Sequence, residues 1–399
     1  MQSGIQSSRM KITYVIQEYW PAKGGGPQAL HERVKFLVKN QVAPLVLTTD
    51  FINIHKKEVM SAEDLKKDEE GVIRHKAINI NPNYLIPIGI LRSLLTTKGD
   101  IIHAIGFGYF STEIAAFISK IRNKPFCFSP AGYFPSAKQV NGFLTSLYIF
   151  LAKRNSLRTS RLILVDSMDD MEIYSKLASQ KKIVVLPGVA VSETLISYKT
   201  DPERFKKKFK ISEKYFFSLG RIIESKGFQN VIRAIPKMIK IPELADIKYV
   251  IAGTDQGYTE SLKDMMIDLK CSDNVAIINE ITETDKYDGL SGAVGLIVPS
   301  NFETYGIVIV EAMALGVPVI CTKFGGAKEK LPPGELSCLI DPSNIDSIIN
   351  SIKWAMSLSV EKRDLIGRVS REIVRTGHTV EATTSKLIDL YKEIIEGKI

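Results

Sequence analysis

The chain has 399 residues, of which 45% are apolar and 24% charged, with a formal net charge of +9 at pH 7. That length suits two domains of ordinary size, and the composition excludes a disordered chain, a collagen-like fibre and a coiled coil. The charge is lopsided: residues 1–199 hold 26 Lys and Arg against 16 Asp and Glu, so this half either faces an anionic partner or simply keeps the chain soluble.

Residues 1–9 read as a disordered extension before Met10, without the basic start and apolar run of a signal peptide. Strand and helix patterns then alternate. Lys11–Gln17, Pro44–Thr48, Asp100–Ile105, Pro125–Ser129, Leu162–Asp166 and Ile183–Leu186 are strands, and Gln28–Lys39 is an amphipathic helix. The segment Phe143–Arg161 is apolar and then basic. It reads either as a core helix or as a helix lying on an anionic bilayer. The charged run Lys199–Lys210 follows as a connection, and the pattern restarts with strands at Tyr215–Leu219, Tyr249–Ala252, Val275–Ile278, Gly295–Pro299, Val317–Thr322 and Leu336–Ile340. Helices at Val360–Thr376 and Val380–Glu396 close the chain. Strand–helix alternation implies parallel sheets covered on both faces, so two facing Rossmann-like domains are expected, with ligands at the carboxyl ends of the strands. The division expected is 10–198, 199–375 and a final helix 376–399 that returns to the first domain.

Cys127, Cys271, Cys321 and Cys338 lie far apart without a CxxC pair, which argues against a zinc site, a redox dithiol or a disulfide scaffold. No run of 18 uncharged apolar residues occurs, so a membrane span is not expected.

Three constellations carry chemistry. In VPSNFETYGIVIVEAMALGVPVICTKFGGAKE, Glu303 sits in a loop, a helix begins near Thr304–Gly306, and Glu311 follows eight residues after Glu303, about 12 Å along a helix. The open amides of Thr304, Tyr305, Gly306 and Ile307 suit an anion or a sugar, and two carboxylates so spaced can grip both ends of an extended ligand, one on a ribose diol. A capping Glu and a surface Glu are the plain alternative. Gly325–Gly326 permits a close backbone approach or an ordinary tight turn. In Gly220–Gly227 (GRIIESKG), Arg221 and Lys226 flank a loop after a strand and can clamp a diphosphate, unless both are merely solvated. Gly24, Gly25 and Gly26 precede the first helix but match neither a dinucleotide fingerprint nor a Walker loop. His103 ends a strand, where a site residue would sit, although a lone histidine is often structural.

Together, the E-x7-E spacing and GRIIESKG resemble the retaining glycosyltransferases of family 4, of the GT-B fold. The resemblance extends over nearly the whole chain, through GGGPQALHERVKFLVKNQVAPLVLTT, DIIHA, ILVDSMDDMEIYSKL and LIDLYKEII. It implies a nucleotide diphosphate sugar donor of UDP or GDP type, bound mainly by the second domain. Arg221 and Lys226 would hold the diphosphate, Glu311 the ribose, and Glu303 the transferred sugar. Gly25 and Gly26 would approach the diphosphate from the first domain, and Gly325 would lie beside the donor. His103 is the remaining catalytic candidate. The resemblance implies no metal, no cofactor and no nucleic-acid partner. Its acceptor would be a glycan, a lipid-linked or a small-molecule hydroxyl, and its place the cytoplasm or the cytoplasmic face of a membrane. A non-catalytic sugar-nucleotide-binding subunit and a GT-B-fold epimerase are the alternatives. Departures cluster in the first half: His103-Ala104-Ile105 lacks a second histidine, Ser129-Pro130-Ala131-Gly132 lacks a His-Gly step, and Pro187-Gly188-Val189-Ala190 is a reduced Pro-Asn-Gly-Val-Asp. Near the end of the chain, GHTVEATT lacks a common Trp.

Overall fold

Short β-branched and aromatic runs that are apolar on both faces need helices on either side to leave water. The chain carries two sets of them. The computed structural model describes residues 9–399 apart from 23–24, 55–56, 67–68, 82–83, 132–149, 152–153, 179–181 and 189. Most of the expected N-terminal extension, Gly24, Gly132, Val189 and the apolar first part of 143–161 lie outside these residues. The chain divides into two units, Met1–Ala190 with Val380–Ile399, and Val191–Thr379.

The first unit holds a seven-stranded sheet in the order Ile183–Val185, Leu162–Val165, Phe126–Ser129, Ile101–Ile105, Lys11–Val15, Ala43–Thr49 and Val72–His75. Every neighbouring pair is parallel. Val72–His75 is an edge strand that the sequence reading passes over, because VIRH is short and half polar. The helix Val380–Ile395 belongs to this unit: Leu387, Tyr391 and Ile394 are buried in one cluster with Ile12, Tyr14, Leu30 and Leu37.

The second unit holds a six-stranded parallel sheet in the order Val275–Ile278, Lys248–Ala252, Tyr215–Leu219, Gly295–Val298, Val319–Thr322 and Cys338–Ile340. The order reverses beside Tyr215–Leu219, which pairs with Lys248–Ala252 on one side and Gly295–Val298 on the other. Loops leaving adjacent strands there diverge and open a crevice at the carboxyl edge. The run Lys199–Lys210 is not a bare connection. It forms the helix Pro202–Phe209, capped by Asp201, with Phe205 fully buried. Its cations pair with the helix Glu283–Ser291, Arg204 with Asp288 and Lys208 with Asp285.

All four cysteines are free, and Cys127, Cys271 and Cys321 are buried. Among the described residues, no helix is long and apolar enough to cross a membrane.

Candidate active site

Two loops meet at the reversal point of the second sheet. The strand Tyr215–Leu219 is followed by Gly220, and the loop behind it is anchored by the fully buried Ile222, whose N–H donates to Thr254 O at 2.9 Å. Arg221 beside it stays exposed, its Nη1 donating to Gln256 Oε1 at 3.4 Å. The turn Glu224–Lys226 then leads into the helix Phe228–Met238. The side chain of Lys226 folds back past Gly220, where a Cβ would meet its Cε at 3.7 Å.

The second loop leaves the strand Gly295–Val298. Its Asn301 N–H donates to Ser225 O at 3.0 Å, so the two loops are tied together. Glu303 Oε2 accepts from Lys226 Nζ at 2.7 Å and from Ser300 Oγ at 3.0 Å. Its backbone is pinned as well: the N–H donates to Phe324 O and the carbonyl accepts from Ala327 N–H, both at 3.1 Å. That clamp requires Gly325, which has φ 91° and ψ 174° and leaves no room for a side chain, since a Cβ would stand 2.3 Å from Glu303 O. Cys321, within the neighbouring strand Val319–Thr322, has its thiol pushed up to about 12 by burial; Glu303 adds to the shift, while Lys330 and Lys226 oppose it.

The helix expected near Thr304–Gly306 starts at Ile307, so the span from Glu303 to Glu311 is loop followed by helix rather than two helical turns. Gly306, at φ 68°, precedes it and offers no side chain to cap the first turn. The amides of Gly306, Ile307 and Val308 have no acceptor among the described residues. They present the positive end of a helix that is buried along almost its whole length. Thr304 is half-buried. The ring of Tyr305 is buried, with its hydroxyl 3.0 Å from His378 Nδ1, so this side chain is part of the scaffold. Lys330 Nζ donates to Tyr305 O at 2.5 Å and lies 4.1 Å from the centre of the Tyr305 ring. Burial, helped by Lys330, brings His378 down to about 4.

Glu311 is buried on the helix Ile307–Leu315. Its Oε1 accepts from Lys286 Nζ at 2.5 Å, while Oε2 takes no hydrogen bond among the described residues. Burial raises its carboxyl above the ordinary range and Lys286 pulls it back. The structure thus joins Lys226, Glu303 and Gly325, places Arg221 on the loop of Lys226, and gives Glu311 a partner that the sequence reading missed. Lys330 had a signal, standing just beyond the glycine pair. Lys286, in ETDKYD, had none.

Gly25 and Gly26 open the first helix of the first unit and are exposed. His103 requires a correction. It lies inside the strand Ile101–Ile105, completely buried, with Nδ1 2.5 Å from the Tyr391 hydroxyl and Nε2 2.8 Å from Ser129 Oγ. Burial, with Arg33 nearby, lowers it to about 3. A neutral ring with both nitrogens engaged inside a core holds the terminal helix in place, which is a structural role.

Residues 199–372 match the family model of the glycosyl transferases group 1. An uncharacterized glycosyltransferase of Methanocaldococcus jannaschii is 26% identical over 184 residues, 46% of each chain. A capsular polysaccharide biosynthesis glycosyltransferase of Staphylococcus aureus is 22% identical over 247 residues, 60% of this chain and 64% of the relative. These matches span about half to two thirds of the relatives' lengths. Among solved structures, Anabaena HepE in complex with UDP and glucose superposes with a TM-score of 0.74 at 17% identity, over 96% of this chain and all of the other. At that identity the likeness speaks for the fold, two Rossmann-like units of the GT-B kind. The glycosyl transferases group 1 model thus lies over the unit that holds Glu303, Glu311 and Lys226, within a chain that is similar in fold to GT-B proteins along its length.

Proposed function

We propose that the protein is a retaining glycosyltransferase, moving a sugar from a nucleotide diphosphate sugar to a hydroxyl acceptor. The observation that carries this reading is the meeting of Lys226 with Glu303 beside the open amides of Gly306, Ile307 and Val308. In the donor complex Arg221, Lys226 and those amides receive the diphosphate, and Glu311 Oε2 accepts from the ribose. Glu303, released from part of its pairing with Lys226, holds the sugar hydroxyls. As the bond from the anomeric carbon to phosphate oxygen breaks, negative charge gathers on the leaving nucleoside diphosphate, where the two cations and the amides stabilise it. The acceptor oxygen bonds to the same face of the anomeric carbon and its proton passes to the departing phosphate oxygen. Neither a dedicated base nor a metal is required in this scheme. A UDP-type donor is favoured because HepE holds UDP and glucose, and a glycan acceptor because the Staphylococcus aureus relative is named for capsular polysaccharide biosynthesis.

A lipid-linked acceptor on a cytoplasmic membrane face fits the first unit. Leu91 and Leu95 are exposed on the helix Ile90–Thr96, and Phe117 and Ile121 on the helix Phe110–Ile121. Arg92 and Lys120 accompany them on these helices, and Arg122, just after the second, donates to Leu94 O at 2.9 Å. The test of the reaction is a panel of UDP-, GDP- and ADP-sugars, screened by thermal shift and then assayed for product. One donor should raise the melting temperature and yield free nucleoside diphosphate with the anomeric configuration kept in the product. Inversion, an isomerised donor, or binding without any hydrolysis or transfer overturns the proposal.

A further inference from the structure

A buried carboxylate that must accept two ribose hydroxyls has to stay ionised in a place that favours its protonated form. Glu311 is in that position: its residue is 6% exposed, and burial is the largest influence on it. Its only charge-assisted partner among the described residues is Lys286, reaching across from the helix Glu283–Ser291. This ammonium is not a loose surface charge. Its Nζ lies 4.6 Å from the centre of the Tyr287 ring and 4.0 Å from Glu283 Oε1. Tyr287 is itself fixed, its hydroxyl donating to Glu283 at 2.9 Å and its ring standing edge-on to Tyr198.

We propose that Lys286 is the positioning residue of the ribose site, holding Glu311 Oε1 in a fixed ion pair so that Oε2 alone serves the ribose diol. The inference rests on the reading of Glu311 as the ribose carboxylate. The other groups around the helix Ile307–Leu315 do not supply this charge. From the helix Glu283–Ser291 come also Glu283, which pushes the Glu311 carboxyl further up, and Tyr287. From Val360–Gly377 comes Arg371, whose guanidinium donates to Leu315 O at the helix end. The turn Glu193–Ser197 carries Glu193, and the flanking strands Gly295–Val298 and Val319–Thr322 carry only Cys321. Lys286 is therefore the cation that favours the ionised form of Glu311.

Without Lys286 the carboxyl loses the influence that lowers its pKa, so it protonates at a higher pH and nucleotide binding weakens as the solution becomes more acidic. The full chain is titrated with UDP and GDP by calorimetry from pH 5.5 to 8.5. Lys286→Met, Lys286→Arg and Glu311→Gln are compared with wild type at each pH, which cancels the titration of the phosphates. The 2′,3′-dideoxy form of the tighter nucleotide is the second probe. The ratio of dissociation constants, Lys286→Met over wild type, should be lowest at pH 8.5 and grow about tenfold towards acid, as expected when a pKa rises by a unit or more. Lys286→Arg should keep the ratio flat, and Glu311→Gln should bind weakly at every pH and no longer distinguish the dideoxy probe. A ratio for Lys286→Met that is constant with pH, whether weaker or tighter than wild type, overturns the role of Lys286 while a weakened Glu311→Gln leaves the ribose reading standing. Wild-type affinity in Glu311→Gln removes both.

Discussion

Placing a methyl group on Gly325 tests whether the Glu303 clamp is built as described. At φ 91° and ψ 174° the backbone lies where only glycine rests easily, and another residue there costs about 1–3 kcal/mol. The new Cβ would also stand 2.3 Å from Glu303 O and 2.8 Å from its carbonyl carbon. Both are backbone atoms held by the bonds to Phe324 and Ala327, so the overlap is not relieved by turning a side chain. Overpacking of this kind adds roughly 1–3 kcal/mol. Together the two effects amount to about 4 kcal/mol, and at about 2–4 °C per kcal/mol for a unit of this size the melting temperature falls by about 8–16 °C. Gly334→Ala is the control: its φ is 61°, but no atom lies within 4 Å of the Cβ position, so strain alone applies, about 1–2 kcal/mol. The Gly325→Ala chain that remains folded should also turn over donor at least about tenfold more slowly, because the sugar-holding carboxylate shifts by a fraction of an ångström. Calorimetric melts and donor hydrolysis at saturating donor read both quantities. If Gly325→Ala melts alongside Gly334→Ala and keeps its turnover, the close approach is not what fixes Glu303.

The two carboxylates should separate kinetically: Glu303→Gln should lower kcat by about 100-fold with donor affinity largely kept, whereas Glu311→Gln should raise the donor Kd by about tenfold. Equal effects on both constants in both variants would contradict the division of roles. Acid should destabilise the protein already in the range where free histidines titrate. His103 and His378 are lowered to about 3 and about 4 by burial, so the native state keeps them neutral while the unfolded chain takes up protons below about pH 6.5. Stability should fall between pH 6.5 and 4.5, and identical urea midpoints at pH 7.0 and 5.0 would show that these rings are not enclosed. The chain should sediment with anionic vesicles at low salt and less so at high salt, each basic residue near the surface adding about 1 kcal/mol. Recovery in the supernatant with anionic vesicles at low salt would point to a soluble acceptor.

What could be read from the chain follows from how local each signal is. Tyr215–Leu219 and Val275–Ile278 appear with the ends expected of them, because a strand buried on both faces writes its whole length as an apolar run. The loops at Gly220 and Glu303 were legible because glycines and charges interrupt such runs. The edge strand Val72–His75 was not, since one side meets no neighbour and need not be apolar. The helix Pro202–Phe209 was hidden by its lysines, although Phe205 and Phe209 stand four apart on one face. His103 misled for a different reason. A histidine among isoleucines looks like an intruder, and only the partners Tyr391 and Ser129, remote in sequence, reveal that the core was prepared for it. Lys286 is the same case for Glu311: an ion pair between two helices leaves no periodicity behind.

The first unit is discontinuous, with residues 380–399 separated from residues 1–190 by the whole of the second. During synthesis Tyr14 and His103 emerge early, but Tyr391, whose hydroxyl lies 2.9 Å from that of Tyr14 and also meets His103, follows only after residues 191–379. At about 5–20 residues per second that delay lasts roughly 10–40 s. Through it the cluster of Ile12, Leu30 and Leu37 lacks the helix that covers it. The second unit is contiguous and has every strand of its sheet by Ile340 and its last helix by Gly377. Nascent chains are therefore expected to close the later unit first, and chaperones that recognise apolar surface to find it on the earlier one.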